Sequence, residues 1–251
     1  MKKICFDLSM GAAGDMLTAA LLELTSNPAE TLTELNTLGI PGVEFRAEQQ
    51  EKQGVPGTHI HVTVHGEEEG EEAHHAHHHG HHHHSSMADI AELIEHLHAS
   101  DSVKENALAV YGRIAQAESR VHGEPVTEIH FHEVGALDAV ADVAAVCYLL
   151  EKLSPGEISA TPVHTGYGKV TCAHGILDIP APATKLLLEG IPTEVGDVKG
   201  ELCTPTGAAL IWHFVARFGA LPDTADARQG VGLGKKDFAR PNCLRAYLTE
   251  D

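Results

Sequence analysis

His130, Phe131, His132 and Glu133 follow one another in the middle of the chain, with Asp138 and Asp142 close behind. On a strand, alternate side chains share a face, so the two imidazoles stand about 7 Å apart at Cα and can share one metal ion. Glu133 then points elsewhere unless the strand ends there. Asp138 and Asp142 have i, i+4 spacing and lie on one face of a helix. They suit a hydrated magnesium or manganese ion, or the orienting of nearby imidazoles. An equally good plain reading is a polar strand end followed by an acidic helix start, which the helix dipole favours.

Four further groups of residues have types and spacing suited to chemistry. The tract from His74 to His84 holds nine histidines, namely His74, His75, His77, His78, His79, His81, His82, His83 and His84. Neutral imidazole suits nickel, zinc and copper, so the tract reads as a metal-collecting arm of low selectivity. Cys172 and His174 offer a thiolate and an imidazole at strand spacing, both competent nickel ligands; a buried cysteine beside a turn is the plain alternative. The segment with Asp7, Ser9, Gly11, Gly14 and Asp15 combines glycines, which permit close backbone approach, with a helix N-terminus that can face an anion. It is neither a Rossmann fingerprint nor a Walker A loop. Thr204, Thr206 and Gly207 open a later helix, where the hydroxyls either cap the helix or receive a phosphate.

The elements that must position these residues alternate between strand and helix patterns. Ile4–Leu8 reads as a first strand, followed by a helix through Met16, Ala20 and Leu24. Asn27-Pro28 reads as a cap and first turn. Strands over Val43–Glu48 and His59–Val64 flank a turn-rich Gly54–Gly57. Residues 65 to 86 are acidic and then His-rich, with almost nothing to bury, which predicts a mobile loop. Ser86 and Asp89 then have capping-box spacing. A helix from Val103 to Val121 ends at Gly123. Glu128–His132 reads as a strand, Leu137–Leu153 as a helix, Ile158–Val163 and Lys169–Cys172 as strands. Helices follow Pro182 and Pro205, and strands close the chain near Val231 and over Leu244–Leu248. The expectation is an α/β (α+β) fold with a mixed sheet flanked by helices and a mobile His-rich loop. Its three divisions are an αβ lobe over 1–65, the loop over 66–86, and an αβ lobe over 87–251 that carries the HFHE, CAHG and TPTG motifs.

The chain has 251 residues and a formal charge of −19 with its 20 histidines neutral. No basic stripe interrupts that charge, which argues against nucleic acid as a partner. No apolar run approaches the roughly 20 residues of a membrane span. Five cysteines without a CxxC pair read as reduced thiols, and no cleavable signal pattern follows Lys2-Lys3, so a cytoplasmic protein is expected.

Six stretches, taken together and in order, resemble one family, the LarC nickel-insertion proteins. They are FDLSMGAAGDMLTAALL at Phe6–Leu22, AESRVHG at Ala117–Gly123, HFHEVGALDAVADV at His130–Val143, GYGKVTCAHGILDIPAPAT at Gly166–Thr184, ELCTPTGAAL at Glu201–Leu210, and GVGLGKKDFARPNCLR at Gly230–Arg245. Asp178 stands where the family usually has Pro. The resemblance implies insertion of Ni²⁺ into pyridinium-3,5-bisthiocarboxylic acid mononucleotide, with Ni–S and Ni–C bonds formed in a CTP-dependent reaction assisted by Mg²⁺ or Mn²⁺. The product is the nickel-pincer nucleotide cofactor of lactate racemase, and other maturation proteins of that enzyme are possible partners. It also implies a C-terminal partner domain for nucleotide handling, in cis or in trans, so that this chain resembles the first part of the enzyme. Carboxylates here would take a proton when the pyridinium carbon is metallated. A nickel or zinc store without chemistry is the competing reading.

Overall fold

A computed structural model describes residues 1–68, 85–131, 134–172 and 175–250, with the backbone alone for His130 and Cys172. The histidine tract, His132, Glu133 and His174 lie outside the described residues. The chain opens with β1 (Lys2–Asp7), α1 (Gly14–Glu23), α2 (Pro28–Leu35), β2 (Val43–Lys52), β3 (Val55–Val64) and the short β4 (Glu67–Glu68). After the gap come β5 (Ser85–Ser86), α3 (Met87–Glu95), α4 (Asp101–His122), β6 (His130–Phe131), α5 (Leu137–Leu153), β7 (Glu157–Ala160) and β8 (Val163–His164). The last part holds β9 (Lys169–Cys172), β10 (Gly175–Asp178), α6 (Pro182–Leu187), β11 (Thr193–Glu194), α7 (Pro205–Phe214), β12 (Arg217–Phe218), β13 (Arg228–Leu233) and β14 (Cys243–Glu250).

The main sheet runs β12-β7-β1-β14-β13-β3-β2, with β4 added against β3. It is mixed: β1 is parallel to β7 and antiparallel to β14, and β13 is antiparallel to β14 and parallel to β3. Strands from 1–65 and from 87–251 therefore share one sheet and one core. Three small two-stranded pairs, β10-β9, β11-β8 and β5-β6, stand apart from it.

Local chemistry explains most boundaries. The Asn27 side chain accepts from the Glu30 amide and Pro28 fills the first helical turn of α2. Ser86 and Asp89 form a reciprocal capping box on α3, and Gly123 closes α4 in the left-handed conformation, φ 71°. Two expectations shift. The turn between β2 and β3 is the tighter Gln53-Gly54, φ 50° and 82°, and Val55 to Gly57 already belong to β3. Two successive positive φ angles match the right-handed twist of a hairpin, which frees the residues after Gly54 to pair. The Glu128–His132 stretch begins with a 3-10 turn over Val126–Glu128 after Pro125, and only His130–Phe131 is strand.

The core is built by a buried helix. Along α5 almost every residue from Ala139 to Leu150 is apolar and buried, so it packs on all sides. It lies on α1, which lies on β13 with backbone contact: a Cβ at Gly230 would stand 2.0 Å from the Ala20 carbonyl oxygen, and one at Gly232 would stand 1.9 Å from that of Met16. Among the described residues, no helix is long and apolar enough to cross a membrane.

The turn from β1 to α1 depends on Gly11. Its φ is 78°, and a Cβ there would stand 2.0 Å from the Leu202 carbonyl oxygen. Gly11→Ala should therefore destabilise the fold by about 2–4 kcal/mol, lowering Tm by roughly 5–15 °C. A thermal melt that moves by less than a degree would remove the constraint.

Candidate functional site

The first turn and the start of α7 lie side by side. Ala12 N–H donates to the Leu202 carbonyl at 3.0 Å, and Thr204 N–H donates to the Ala12 carbonyl at 3.0 Å. Gly207 leaves room for the Ala12 carbonyl, since a Cβ would meet that oxygen at 2.1 Å. Gly11, Gly14 and Gly207 thus allow protein to approach protein. Thr204 accepts from the Gly207 amide at 3.2 Å and caps α7, the plainer of its two expected roles. Thr206 is buried. Asp7 accepts from the Ser9 amide at 3.0 Å and faces Arg245 across the β1–β14 ladder.

Asp15 and Asp142 meet where α1 begins against α5. A Cβ at Gly14 would come within 2.5 Å of the Asp142 side chain. Oδ1 of Asp142 is sealed from solvent and has no hydrogen-bond partner among the described residues. Burial first, then the neighbouring charges of Asp15 and Asp138, hold the Asp142 carboxyl well above the ordinary carboxylate value; Lys235 and the Asp15 amide act weakly against this. Burial also raises Asp15, opposed by the Met16 amide, His59 and Lys235. Two acids that cannot both ionise cheaply form a proton-holding pair. Asp138 accepts from the Ala139 amide at 2.8 Å.

Phe131 reaches the same region. Phe131 is buried with its ring 6.1 Å from that of Tyr111, and the Tyr111 hydroxyl donates to the Val134 carbonyl at 3.1 Å. Burial first, and then the charges of Asp138 and Asp142, raise the Tyr111 phenol well above its usual value. His130 is paired with Ser86 at the cap of α3. Cys172 ends β9 opposite Gly175. Asp178 pairs with Lys169 across the β9–β10 ladder at 3.3 Å. Of the expected residues, the structure brings together Gly11, Gly14, Asp15, Asp138, Asp142, Thr204, Thr206 and Gly207.

One group was missed from sequence. His59 and His61 on β3 and Glu68 on β4 place ligand-capable atoms within 4.8 Å of one another. The signal was present as a second His-x-His at strand spacing, beside an acidic run read only as loop.

The proton-holding pair has a consequence for stability. An acid whose folded pKa lies above its unfolded value keeps a proton that the unfolded chain has released. Its contribution is complete below the unfolded value, here 3.8, and is lost as pH rises toward the folded one. Asp142→Asn removes this penalty, so its stability relative to the parent should improve steadily as pH is raised above about 4. Thermal melts of both proteins across pH check this; a difference that stays flat would show that Asp142 ionises normally.

Comparison with known proteins places the chain. A family profile described as nickel insertion protein matches residues 4–251. A pyridinium-3,5-bisthiocarboxylic acid mononucleotide nickel insertion protein of Clostridium kluyveri is 39% identical over 255 residues, covering 100% of this chain and 62% of the relative. Proteins of the same name from Staphylococcus epidermidis and Desulfitobacterium hafniense are each 37% identical, covering 99% and 100% of this chain and 60% and 59% of theirs. The chain thus spans about six tenths of the length of the curated relatives it matches. No solved structure matches it. With the profile matched almost from end to end and the SMGAAGD and TPTG segments docked on one another, the chain belongs to the nickel insertion protein family.

Proposed function

We propose that this chain carries the nickel-handling part of an enzyme that inserts Ni²⁺ into pyridinium-3,5-bisthiocarboxylic acid mononucleotide, giving the nickel-pincer nucleotide of lactate racemase. One observation carries the reading: relatives named for this substrate match the chain along its whole length. The geometry is compatible. Forming a Ni–C bond at a pyridinium carbon releases a proton, and that proton needs an acceptor inside a site closed to bulk water. The Asp15–Asp142 pair, both carboxyls raised first by burial, has capacity for one proton more or less and is suited to proton transfer. The metal is substrate, and the two thiocarboxylates supply the Ni–S bonds.

The finer reading is a cytoplasmic nickel-inserting lyase, a cyclometallase. Its CTP and its Mg²⁺ or Mn²⁺ are handled by a C-terminal partner domain in cis or in trans. Cofactor-binding roles are assigned to Asp7, Ser9, Asp15 and Thr206, with Gly11, Gly14, Thr204 and Gly207 shaping the turn and helix start around them, and catalytic roles to His130, His132, Glu133, Asp138 and Asp142. Nickel is gathered by the nine tract histidines and passed inward toward His130, His132, Cys172 and His174.

The test is reconstitution. The purified chain, nickel, CTP, a divalent ion and the bisthiocarboxylate mononucleotide are mixed, and activation of apo lactate racemase is measured with and without the C-terminal partner. Activation should require the partner, and Asp142→Asn should lower its rate by roughly 10²–10⁴-fold while the protein stays folded. Full activation by the chain alone would overturn the two-part reading. Failure with the partner present would favour a nickel store.

Removing residues 74–84 separates delivery from chemistry. A loose multivalent tract cannot hold the fixed geometry that metallation requires. The deletion should slow activation at limiting nickel and leave it largely intact at saturating nickel. Complete loss at saturating nickel, with the fold preserved, would place the tract in the reaction centre.

A further inference from the structure

We infer that His59, His61 and Glu68, residues outside the HFHE and CAHG motifs, form a binding site for a late first-row divalent metal ion. Two observations carry it: how each ring is held, and how close the donors already stand. His59 is buried, and its Nδ1 lies 2.8 Å from the Leu233 carbonyl oxygen. A carbonyl only accepts, so Nδ1 carries the hydrogen and Nε2 keeps the lone pair. His61 Nε2 lies 2.9 Å from Glu48 Oε2. With the Nε2 hydrogen directed at that carboxylate, Nδ1, which faces Glu68, is the atom left to bind a metal. A ligand imidazole whose other nitrogen is tied to a carbonyl or carboxylate is the arrangement that orients histidine for a metal.

The third donor faces this pair. Glu68 Oε2 lies 3.2 Å from His61 Nδ1, close to the roughly 3 Å that separates neighbouring ligands of an ion held at about 2.0–2.2 Å. A nitrogen lone pair and a carboxylate that close need a cation between them. A proton can serve in the metal-free protein, and a metal ion can take its place. The two rings meet edge to face with centroids 4.5 Å apart, and the three ligand atoms lie within 4.8 Å, so closing on an ion requires side-chain movement of about an ångström or less.

Two imidazoles and one carboxylate favour nickel, copper or zinc over magnesium or calcium. Three protein ligands leave coordination positions open, which is the pattern of exchange or reaction sites and not of closed structural ones. Lys235 holds the other Glu68 oxygen, Oε1, at 3.1 Å, and its nearby charge weakens retention of a cation, which also suits exchange. The position is informative: Asp15 feels both His59 and Lys235, so the site adjoins the acid pair. Service as the last stop of Ni²⁺ before the substrate rests on the proposed function; chelation itself does not.

The test uses the full chain with the nine tract histidines changed to Asn, which removes the multivalent background. Co²⁺ is the probe, read by visible absorption and by paramagnetic shifts of the His59 and His61 ring protons. Those shifts are expected, together with one equivalent of bound metal that is lost in His61→Ala and in Glu68→Gln. Unshifted ring protons would overturn the site with no further substitution needed, and so would unchanged stoichiometry in folded variants. Reconstitution with the C-terminal partner separates the two readings. If Co²⁺ binds here yet His61→Ala activates lactate racemase at the parent rate under limiting nickel, chelation stands and the delivery role falls. If no Co²⁺ binds here while activation proceeds, nickel insertion stands and this site is wrong.

Discussion

Ala12 and Cys203, far apart in the chain, meet backbone to backbone, and glycines on both sides make the approach possible. This contact holds the start of α1 against the start of α7 and brings Asp15 up to Asp142 on α5. Were Gly11 or Gly207 any larger residue, an added Cβ would collide with a carbonyl that is already hydrogen-bonded. The turn is therefore set by sterics before electrostatics enters, and the acids are held together because the backbones around them cannot separate. A buried like-charge pair is expensive for a fold. It persists here because α5 is apolar on nearly every other face and anchors the position.

The charge pattern then acquires a direction. Asp15 and Asp142 are partly withdrawn from solvent between α1 and α5, near the one buried histidine of β3. That histidine is itself fixed by Leu233, so β13 orients it while β3 carries it. Acid pair and imidazole pair thus adjoin, the first set by α1 against α5 and the second carried by β3 beside β13.

Local signals were legible because their physics is local. Asn27, the Ser86–Asp89 box, Gly123 and the full extent of α5 all follow from residues within a few positions of one another. The mixed sheet with flanking helices followed from the alternation of patterns. The β2–β3 turn shifted by a few residues because Pro56 and Gly57 resemble turn residues, whereas two successive left-handed positions at Gln53-Gly54 decide the hairpin. The candidate site was half legible. Its residue types stood out, but the glycines of the first turn were read as room for a ligand, and they admit Leu202 and Asp142. The His59–His61–Glu68 group went unread since it needs Glu68 folded back on β3 and Leu233 brought from β13. The His59-Ile60-His61 spacing hinted at a pair, but the contacts that complete the group are not written in it.

The place of β1 in the sheet bears on how the chain comes to fold. It is an inner strand, and its neighbours are β7 and β14, the latter completed only at Glu250. During synthesis the apolar Ile4–Phe6 segment emerges long before β14, so one of its two edges waits until residues 243–250 have left the ribosome. Non-local pairing of this kind slows folding and leaves an unsatisfied strand edge exposed in the interval. A stop before Cys243 would leave β1 with one edge unpaired, and an open strand edge invites pairing with another chain.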